Sequence, residues 1–321
     1  MSRLQAAALF CLACATAQAQ TTLDLINEYP ATSITAATDL QFADAVKTLS
    51  QGKLAIRPLQ EKDNPFKGVD QVDAVTSGKT QMGTLFGGIV GNRDSLFLLT
   101  SLPFAARDFK QARAQYDCVR GALQAHALKL GARLLYVTPW PPSGIWSVKP
   151  LQSEADIKAL KIRTYDATSK AVFERLGAQS VELPYSALAQ KLAAGEVNAV
   201  LTSGDGGAGR KLWDQLPHFT AVSYSIPLSY TLINEKTWAG LAPDQQAALS
   251  QAAEQVSAQA WAGAEQRINE NYANMRANKM TLNTAPAPGI MAALNQAGAA
   301  ETQAWLAHNK LGSQDAACLL K

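Results

Sequence analysis

Charged residues, cysteine and histidine are all scarce in this sequence of 321 residues. Asp, Glu, Lys and Arg make up 17% of it, and the formal net charge is only +3. This low charge, of mixed sign and without a long basic run, argues against a disordered chain and against nucleic-acid binding. Four cysteines and three histidines leave little material for a Cys/His metal cluster, so we expect no metal site. The 47% of hydrophobic residues suffices for the cores of two domains.

Long apolar runs are also missing, except at the N-terminus. Arg3 precedes a mostly apolar stretch over residues 4–15, and Ala17-Gln18-Ala19 follows as a small-x-small sequence. This pattern predicts a secretory signal peptide over residues 1–19, which is too short to span a membrane. A buried N-terminal helix and a lipoprotein signal that uses Cys14 are the alternatives. We therefore expect an exported, soluble mature chain.

Two of the four cysteines fall within this signal, which leaves Cys118 and Cys318. In an oxidising compartment an even pair predicts one disulfide, which would tie the C-terminal tail to the first domain. Two buried free thiols are the alternative.

Short β-type runs alternate with helical patterns along most of the chain. This alternation predicts an α/β fold with largely parallel sheets. The predicted strands are residues 22–26, 54–58, 81–85, 133–138, 144–148, 161–164, 180–183, 197–202 and 219–225. The predicted helices are residues 37–50, 68–77, 110–130, 167–176, 186–194 and a long region after Pro243.

Two proline-containing segments, residues 138–144 and 224–227, predict crossings between two domains, because proline cannot continue a strand ladder. The helical pattern that begins at Pro243 continues to about residue 277, with apolar residues at spacings of three and four. About 35 helical residues span on the order of 50 Å, more than the width of one small domain. We expect this helix to lie across both domains.

Enzyme motifs are missing or incomplete. Residues 204–209 match G-x-G-x-x-G after a predicted strand, but the following helical segment is short and no acidic residue near position 225 could bind a ribose. A flexible glycine loop is the preferred interpretation. The sequence contains no G-x-S-x-G and no H-E-x-x-H motif, and its three histidines lie far apart. Nothing therefore supports a catalytic function.

Arg163 is the strongest single candidate for binding. It lies in the predicted strand 161–164, where alternation puts Ile162 on the opposite face. An arginine beside a predicted crossing can present its planar guanidinium to a carboxylate through two parallel hydrogen bonds. A surface arginine is the alternative.

The segment that contains Arg163, residues 149–163, reads KPLQSEADIKALKIR and resembles the pattern kPi-s-eDlkGlKiR, with Ala159 where glycine is usual. That pattern is typical of the periplasmic solute-binding proteins of tripartite ATP-independent periplasmic (TRAP) transporters, DctP type. Other segments resemble this family in the same order: residues 42–46, 50–52, 78–83, 102–104, 176–178, 181–185, 192–199 and 233–241. The likeness covers most of the mature chain.

The resemblance implies a two-lobed α/β periplasmic binding protein fold, with a long helix across both lobes and a ligand between them. We predict lobe I over residues 20–140 plus 227–255, and lobe II over residues 141–226 plus 256–321. The family implies a periplasmic, non-enzymatic protein that binds a small organic acid without a cofactor and delivers it to membrane permease subunits. We expect a monomer. Delivery to a signalling receptor, or less readily an extracytoplasmic enzyme, are the alternatives.

The resemblance also implies that Arg163 binds the carboxylate of the ligand. The family commonly has a second arginine at the position of Ser143 and an asparagine at that of Thr202, so this pocket carries less positive charge. We therefore expect a monocarboxylate rather than a dicarboxylate or a polyhydroxylated sugar acid. The other predicted ligand-binding residues are Thr202, Ser203, Ser143, Trp140 and Tyr165, and from lobe I Tyr29, Ser33, Phe86, Gly87 and Tyr230. For Trp140 and Tyr165, packing at the hinge is the alternative.

Overall fold

The computed structural model describes residues 20–309, which form two β-sheets flanked by helices. The predicted signal peptide, residues 1–19, lies outside the described residues. The strands are β1 Thr21–Asn27, β2 Leu54–Leu59, β3 Met82–Phe86, β4 Ala132–Pro139, β5 Ser143–Ser147, β6 Lys161–Thr164, β7 Gln179–Glu182, β8 Ala199–Ser203, β9 His218–Thr220, β10 Leu228–Asn234 and β11 Thr281–Asn283. The helices are α1 Ile34–Leu49, α2 Asp70–Ser77, α3 Gly87–Val90, α4 Phe109–Lys129, α5 Glu154–Lys158, α6 Ala167–Arg175, α7 Leu188–Ala193, α8 Gly204–Gly209, α9 Glu235–Ala239, α10 Pro243–Ala277 and α11 Pro288–Asn309.

Each sheet is mixed, with one reversed strand. The first sheet has the order β2-β1-β3-β10-β4, and β10 runs antiparallel to both of its neighbours. The second has the order β11-β9-β5-β8-β6-β7, and β5 runs antiparallel to β8 and β9. Both reversed strands enter their sheet directly from the other sheet, without the crossover helix that a parallel connection requires. The sheets are therefore less uniformly parallel than the sequence predicts.

The two connections between the sheets run side by side. The backbone N–H of Trp140 donates to Pro227 O at 2.9 Å, and that of Ser143 donates to Ser225 O at 2.9 Å. The N–H of Tyr224 returns a hydrogen bond to Ser143 O at 2.8 Å. Both proline-containing segments that the sequence marks as crossings lie in this pair, which connects the two lobes.

Helix α10 packs against both lobes. Its first half contributes Leu249, Ala253 and Val256 to a core shared with β1, β2 and α1, and small alanines allow a close approach to the sheet. Near its end, Met275 packs with Trp146 in the core of the second lobe. This confirms the two-lobed architecture with a long helix across both lobes. Neither α10 nor any other helix within residues 20–309 is long and apolar enough to cross a membrane.

The glycine-rich segment is a helix, and the prediction of a flexible loop was wrong. The Ser203 side chain caps α8 by accepting a hydrogen bond from Gly206 N at 3.1 Å. A Cβ at Gly207 would lie 2.0 Å from Cζ2 of Trp146, so this glycine provides close packing. The sequence also missed β10 and β11, and the predicted strand 219–225 shortens to β9.

Candidate functional site

The candidate site lies between the sheets, at the edge where their parallel strands end. Arg163 lies near the end of β6, and Thr202 and Ser203 end β8. From the first sheet, Phe86 ends β3 and Trp140 directly follows β4. In open α/β sheets, ligands bind at the carboxyl ends of the strands, because the strand order leaves a crevice there.

A small cavity of about 20 Å³ occupies this position. Residues of both lobes contribute to it, so it can only be complete when the lobes are together. Its lining residues are Tyr29, Phe86, Trp140, Ser143, Arg163, Tyr165, Tyr185, Thr202, Ser203 and Pro227.

Among the lining residues, all from residues 20–309, Arg163 supplies the only cationic side chain, and it is only 4% exposed. Its Nε donates to Leu183 O at 2.9 Å, which fixes the plane of the guanidinium. Within residues 20–309, its two terminal nitrogens make no hydrogen bond. Burial lowers the pKa of Arg163 from its ordinary value, and nearby Tyr29 and Glu28 partly oppose that effect. A buried guanidinium with free donors is costly without an anionic partner.

Hydroxyl groups surround the guanidinium. The Tyr185 hydroxyl donates a hydrogen bond to Gly206 O at 2.9 Å, and the Tyr165 hydroxyl lies 2.7 Å from Ser225 Oγ in the connection between the lobes. Neither the Tyr29 nor the Thr202 hydroxyl makes a hydrogen bond within the described part of the chain. Burial raises the pKa of Tyr29 well above its usual value, so its hydroxyl keeps its proton and can donate it to an anion.

Aromatic rings from both lobes form the apolar wall. The ring centroids of Tyr29 lie 4.6 Å from those of Trp140 and Tyr185, and Phe86 packs edge-on against Tyr165 at 5.3 Å. The Trp140 indole N–H is bound to Ser229 Oγ at 2.9 Å, so only its apolar faces are available. The site thus combines one buried cation, free hydroxyls and an aromatic wall of mutually tilted rings.

Comparison with known proteins identifies the protein family. The model of the bacterial extracellular solute-binding proteins, family 7 (DctP), matches residues 27–306. The chain belongs to this family. The resemblance that the sequence shows around Arg163 is thereby confirmed, and membership agrees with the two-lobed fold.

Solved structures show the same architecture. DctP7 of Bordetella pertussis, an extracytoplasmic solute receptor binding pyroglutamic acid, is 26% identical with a TM-score of 0.88, and the match covers 94% of this chain and 100% of that one. A TRAP solute-binding protein of a marine metagenome, specific for pyroglutamate, is 29% identical with a TM-score of 0.87. The match covers 94% of this chain and 98% of that one. DctP6 of Bordetella pertussis, which also binds pyroglutamic acid, is 27% identical with a TM-score of 0.87. The match covers 93% of this chain and 98% of that one.

Eight of the eleven predicted ligand residues of this DctP-family protein line the cavity, and Ser33, Gly87 and Tyr230 do not. Ser33 caps α1 by accepting a hydrogen bond from Ala36 N at 3.2 Å. Gly87 packs under Leu228 O. The buried Tyr230 ring packs against Phe97 at 5.0 Å. The sequence interpretation missed Tyr185 and Pro227 as lining residues.

The predicted disulfide involves a residue that the structure does not describe. Cys118 lies on α4, whereas Cys318 lies outside the described residues, so the pairing stays a prediction. Over residues 20–309 of this DctP-family protein, no group of three or more His, Cys, Asp or Glu side chains could hold a metal ion.

A larger groove of about 860 Å³ lies beside the cavity. Its lining comes from residues 30–32 and 60–63 of the first lobe, and from α8 and α10. Arg267 crosses this groove, because it bonds both Asp205 and, at 2.6 Å, Thr32 O. Asp205 also accepts a hydrogen bond from Ile34 N at 3.0 Å. These contacts hold the lobes together independently of the cavity residues.

Proposed function

We propose that this DctP-family protein is the solute receptor of a TRAP transporter and binds a small cyclic monocarboxylate, with L-pyroglutamate as the leading candidate. The observation that carries this proposal is the buried guanidinium of Arg163, which lines the interlobe cavity with two free terminal nitrogens. Two parallel N–H bonds from a fixed guanidinium match the geometry of a carboxylate.

The remaining lining favours one carboxylate on an apolar ring. The other polar groups of the cavity are neutral hydroxyls, including those of Tyr29, Ser143 and Thr202. A second carboxylate would be buried without a cationic partner, which is strongly unfavourable. Trp140 and Phe86, whose rings stand edge-to-face with centroids 6.5 Å apart, provide apolar surfaces against which a small ring can pack. Three similar solute receptors bind pyroglutamate, a monocarboxylate with a five-membered ring, and support this choice.

Binding would proceed by hinge closure. An empty cleft opens at the paired crossing segments, and a ligand that contacts both lobes stabilises the closed arrangement. Water leaves the cavity on closure, which strengthens the Arg163–carboxylate pair relative to an exposed pair. The proposal includes export to the periplasm through residues 1–19, a monomeric receptor with the lobe boundaries predicted from the sequence, and delivery to membrane permease subunits. It assigns no catalytic residue.

Thermal unfolding of the mature protein against a ligand panel tests the proposal. The protein is first unfolded and refolded to remove bound solute. The panel holds L-pyroglutamate, D-pyroglutamate, L-proline, succinate and glucuronate, with 2-pyrrolidinone as the matched ring without a carboxylate. A ligand at a hundredfold excess over its Kd stabilises the folded state by about 2.7 kcal/mol. We expect a clear shift with L-pyroglutamate and none with 2-pyrrolidinone. A shift with succinate alone, or with no acid, would overturn the proposal.

A further inference from the structure

A second charged side chain lies buried beside the cavity. Glu28 directly follows β1 and precedes the lining residue Tyr29, and it is only 2% exposed. Its Oε2 accepts a hydrogen bond from Gly68 N at 3.2 Å. Gly68 in turn packs against Pro184. In the sequence this proline lies between Leu183, whose carbonyl oxygen accepts the hydrogen bond from Arg163 Nε, and the lining residue Tyr185. The Glu28 carboxyl group therefore lies at the junction of the two lobes, close to the arginine of the site.

No cation is paired with this carboxyl group. Within residues 20–309, no arginine or lysine nitrogen lies within 4.0 Å of the Glu28 oxygens. Arg210 is bound to Glu61 at 2.5 Å and lies over the Tyr185 ring at 4.5 Å. Lys67 donates to the Glu61 carbonyl oxygen at 2.6 Å. Arg210 and Lys67 are thus bound elsewhere, and the charges of these two residues and of Arg163 act on Glu28 only at a distance.

Burial raises the pKa of Glu28 above its ordinary value, while the Gly68 hydrogen bond and the charges of Arg163, Lys67 and Arg210 oppose this shift. Arg163, Lys67, Arg210 and the neighbouring Tyr29 are the charged and titratable groups that face Glu28. As classes, Arg, Lys and Tyr side chains titrate far above neutral pH. A proton taken up at this site near neutrality therefore goes to a carboxyl group.

The charge balance of the site changes when a carboxylate enters it. An ionised Glu28 offsets part of the positive charge of Arg163, Lys67 and Arg210, and a bound monoanion adds a second negative charge near it in a buried place. A nearby like charge disfavours the ionised form of a carboxyl group. Protonation of Glu28 removes the repulsion between the two carboxylates and leaves Arg163 to the ligand alone.

We propose that Glu28 takes up a proton when the cavity binds a carboxylate, so that this receptor captures its ligand together with a proton. This inference rests on the proposed function, since it requires an anionic ligand next to Arg163. The complex then holds more protons than the free protein, so affinity rises as the pH falls. One full proton corresponds to a change of about tenfold in Kd per pH unit.

Calorimetric titration with L-pyroglutamate tests this inference. The binding enthalpy is measured at one pH in phosphate and in Tris, whose ionisation enthalpies differ, so that the difference counts the protons taken up. We expect a positive uptake by the wild type and none by Glu28→Gln, whose carboxamide oxygen can still accept the Gly68 hydrogen bond. Glu28→Gln should also lose the pH dependence of Kd between pH 6 and pH 8.

Asp166 is the competing proton acceptor that must be separated from Glu28, because it is a second buried acid near Arg163 with a raised pKa of about 6. It caps α6 by accepting a hydrogen bond from Ser169 N at 2.7 Å, a bond that asparagine can also accept. Asp166→Asn should keep the proton uptake of the wild type. The inference is overturned if the wild type takes up no proton, or if Glu28→Gln takes up as many as the wild type.

A second measurement needs no ligand and separates this inference from the proposed function. Because burial raises the folded-state pKa of Glu28, the wild type should lose stability relative to Glu28→Gln as the pH rises from 5 to 8. Chemical unfolding of both proteins at each pH gives this difference. A difference that stays constant across the range would show that Glu28 is not poised to accept a proton, whether or not pyroglutamate binds.

Discussion

Arg210 and Glu61 form an ion pair at 2.5 Å that joins the segment after α8 to the segment after β2, across the cleft between the lobes. Arg210 also lies over the ring of the cavity residue Tyr185 at 4.5 Å. The pair thus links the closed arrangement of the lobes to the wall of the ligand cavity, although neither charged group lines it.

Removing this link should speed ligand release. Both side chains are partly exposed, so the pair contributes modestly, about 0.5–1 kcal/mol. For Glu61→Gln we expect dissociation of L-pyroglutamate to accelerate about two- to fivefold, with little change in the association rate. Stopped-flow tryptophan fluorescence measures both rates. Glu196→Gln, which breaks the exposed Lys191–Glu196 pair within the second lobe, is the control and should leave them unchanged. An unaltered dissociation rate in Glu61→Gln would contradict the role of the pair.

Gly88 allows the lobes to approach at the cavity. A Cβ at this position would lie 2.7 Å from the backbone carbonyl oxygen of Tyr165 in the opposite lobe. Since overpacking against a backbone costs about 1–3 kcal/mol, Gly88→Ala should weaken ligand binding about 5- to 150-fold by holding the lobes apart.

Calorimetry gives the affinity of Gly88→Ala, and the melting temperature of the ligand-free protein separates a closure defect from misfolding. Gly121→Ala on α4 is the control, because a Cβ there meets nothing within 4 Å. Wild-type affinity in Gly88→Ala would show that the lobes do not need this contact to close.

Asp39 should make stability depend on pH. Its buried carboxyl group accepts hydrogen bonds from Asn27 Nδ2 at 2.7 Å, Thr84 Oγ1 at 2.6 Å and the Tyr136 hydroxyl at 2.8 Å. In the described part of the chain, no cation contributes to offsetting its burial. Burial raises the pKa of Asp39 to about 7. The folded protein therefore binds this proton more tightly than the unfolded chain, so stability falls as the pH rises from about 4 to about 7, by roughly 4 kcal/mol at most.

Urea unfolding of wild type and Asp39→Asn across pH 4–8 checks this dependence. The wild type should lose stability relative to Asp39→Asn as the pH rises, whereas the exposed Asp44→Asn on the same helix should follow the wild type at every pH. If the free energies of unfolding of wild type and Asp39→Asn change in parallel with pH, the raised pKa of the buried Asp39 carboxyl group is contradicted.

The pairing of Cys118 with Cys318 remains a prediction that chemistry can decide. Thiol labelling of the denatured, unreduced mature protein should find no free thiol, and labelling after reduction should find two. Because the bridge would close a long loop, Cys118→Ser should lose about 3–5 kcal/mol of stability in the chain-entropy model. Two free thiols before reduction would refute the bridge.

The sequence predicted most of the elements that carry the site, because alternation of short β runs and helices is a local signal. Arg163 was identified by its strand position and by the family pattern around it. The sequence analysis missed the reversed strand β10, because the direction of that strand depends on where the chain crosses between the lobes. It therefore also missed that the Tyr230 ring packs into the core. The prediction that Gly87 lines the cavity also failed, because tertiary packing decides which face of a turn meets the cleft.

Tyr185 and Glu28 show a further limit of local patterns. Tyr185 reaches the cavity from the turn after β7, because β6 and β7 pair in parallel and end at the same edge. Glu28 follows β1 as an ordinary acidic residue, and only its burial near Arg163 gives it significance. The glycines of α8 were interpreted as a flexible loop, although Gly207 lacks a side chain so that the Trp146 ring can pack directly against the helix backbone.

The pairing of Arg163 with a ligand carboxylate is tested most directly by calorimetric titration of L-pyroglutamate into the mature wild type, Arg163→Ala and Lys161→Ala. Lys161 lies on the same strand with its side chain exposed, so it controls for a change in general charge. The buried ion pair predicts a loss of about 2–5 kcal/mol in Arg163→Ala, at least about thirtyfold in Kd, and no loss in Lys161→Ala. Wild-type affinity in Arg163→Ala would contradict the account.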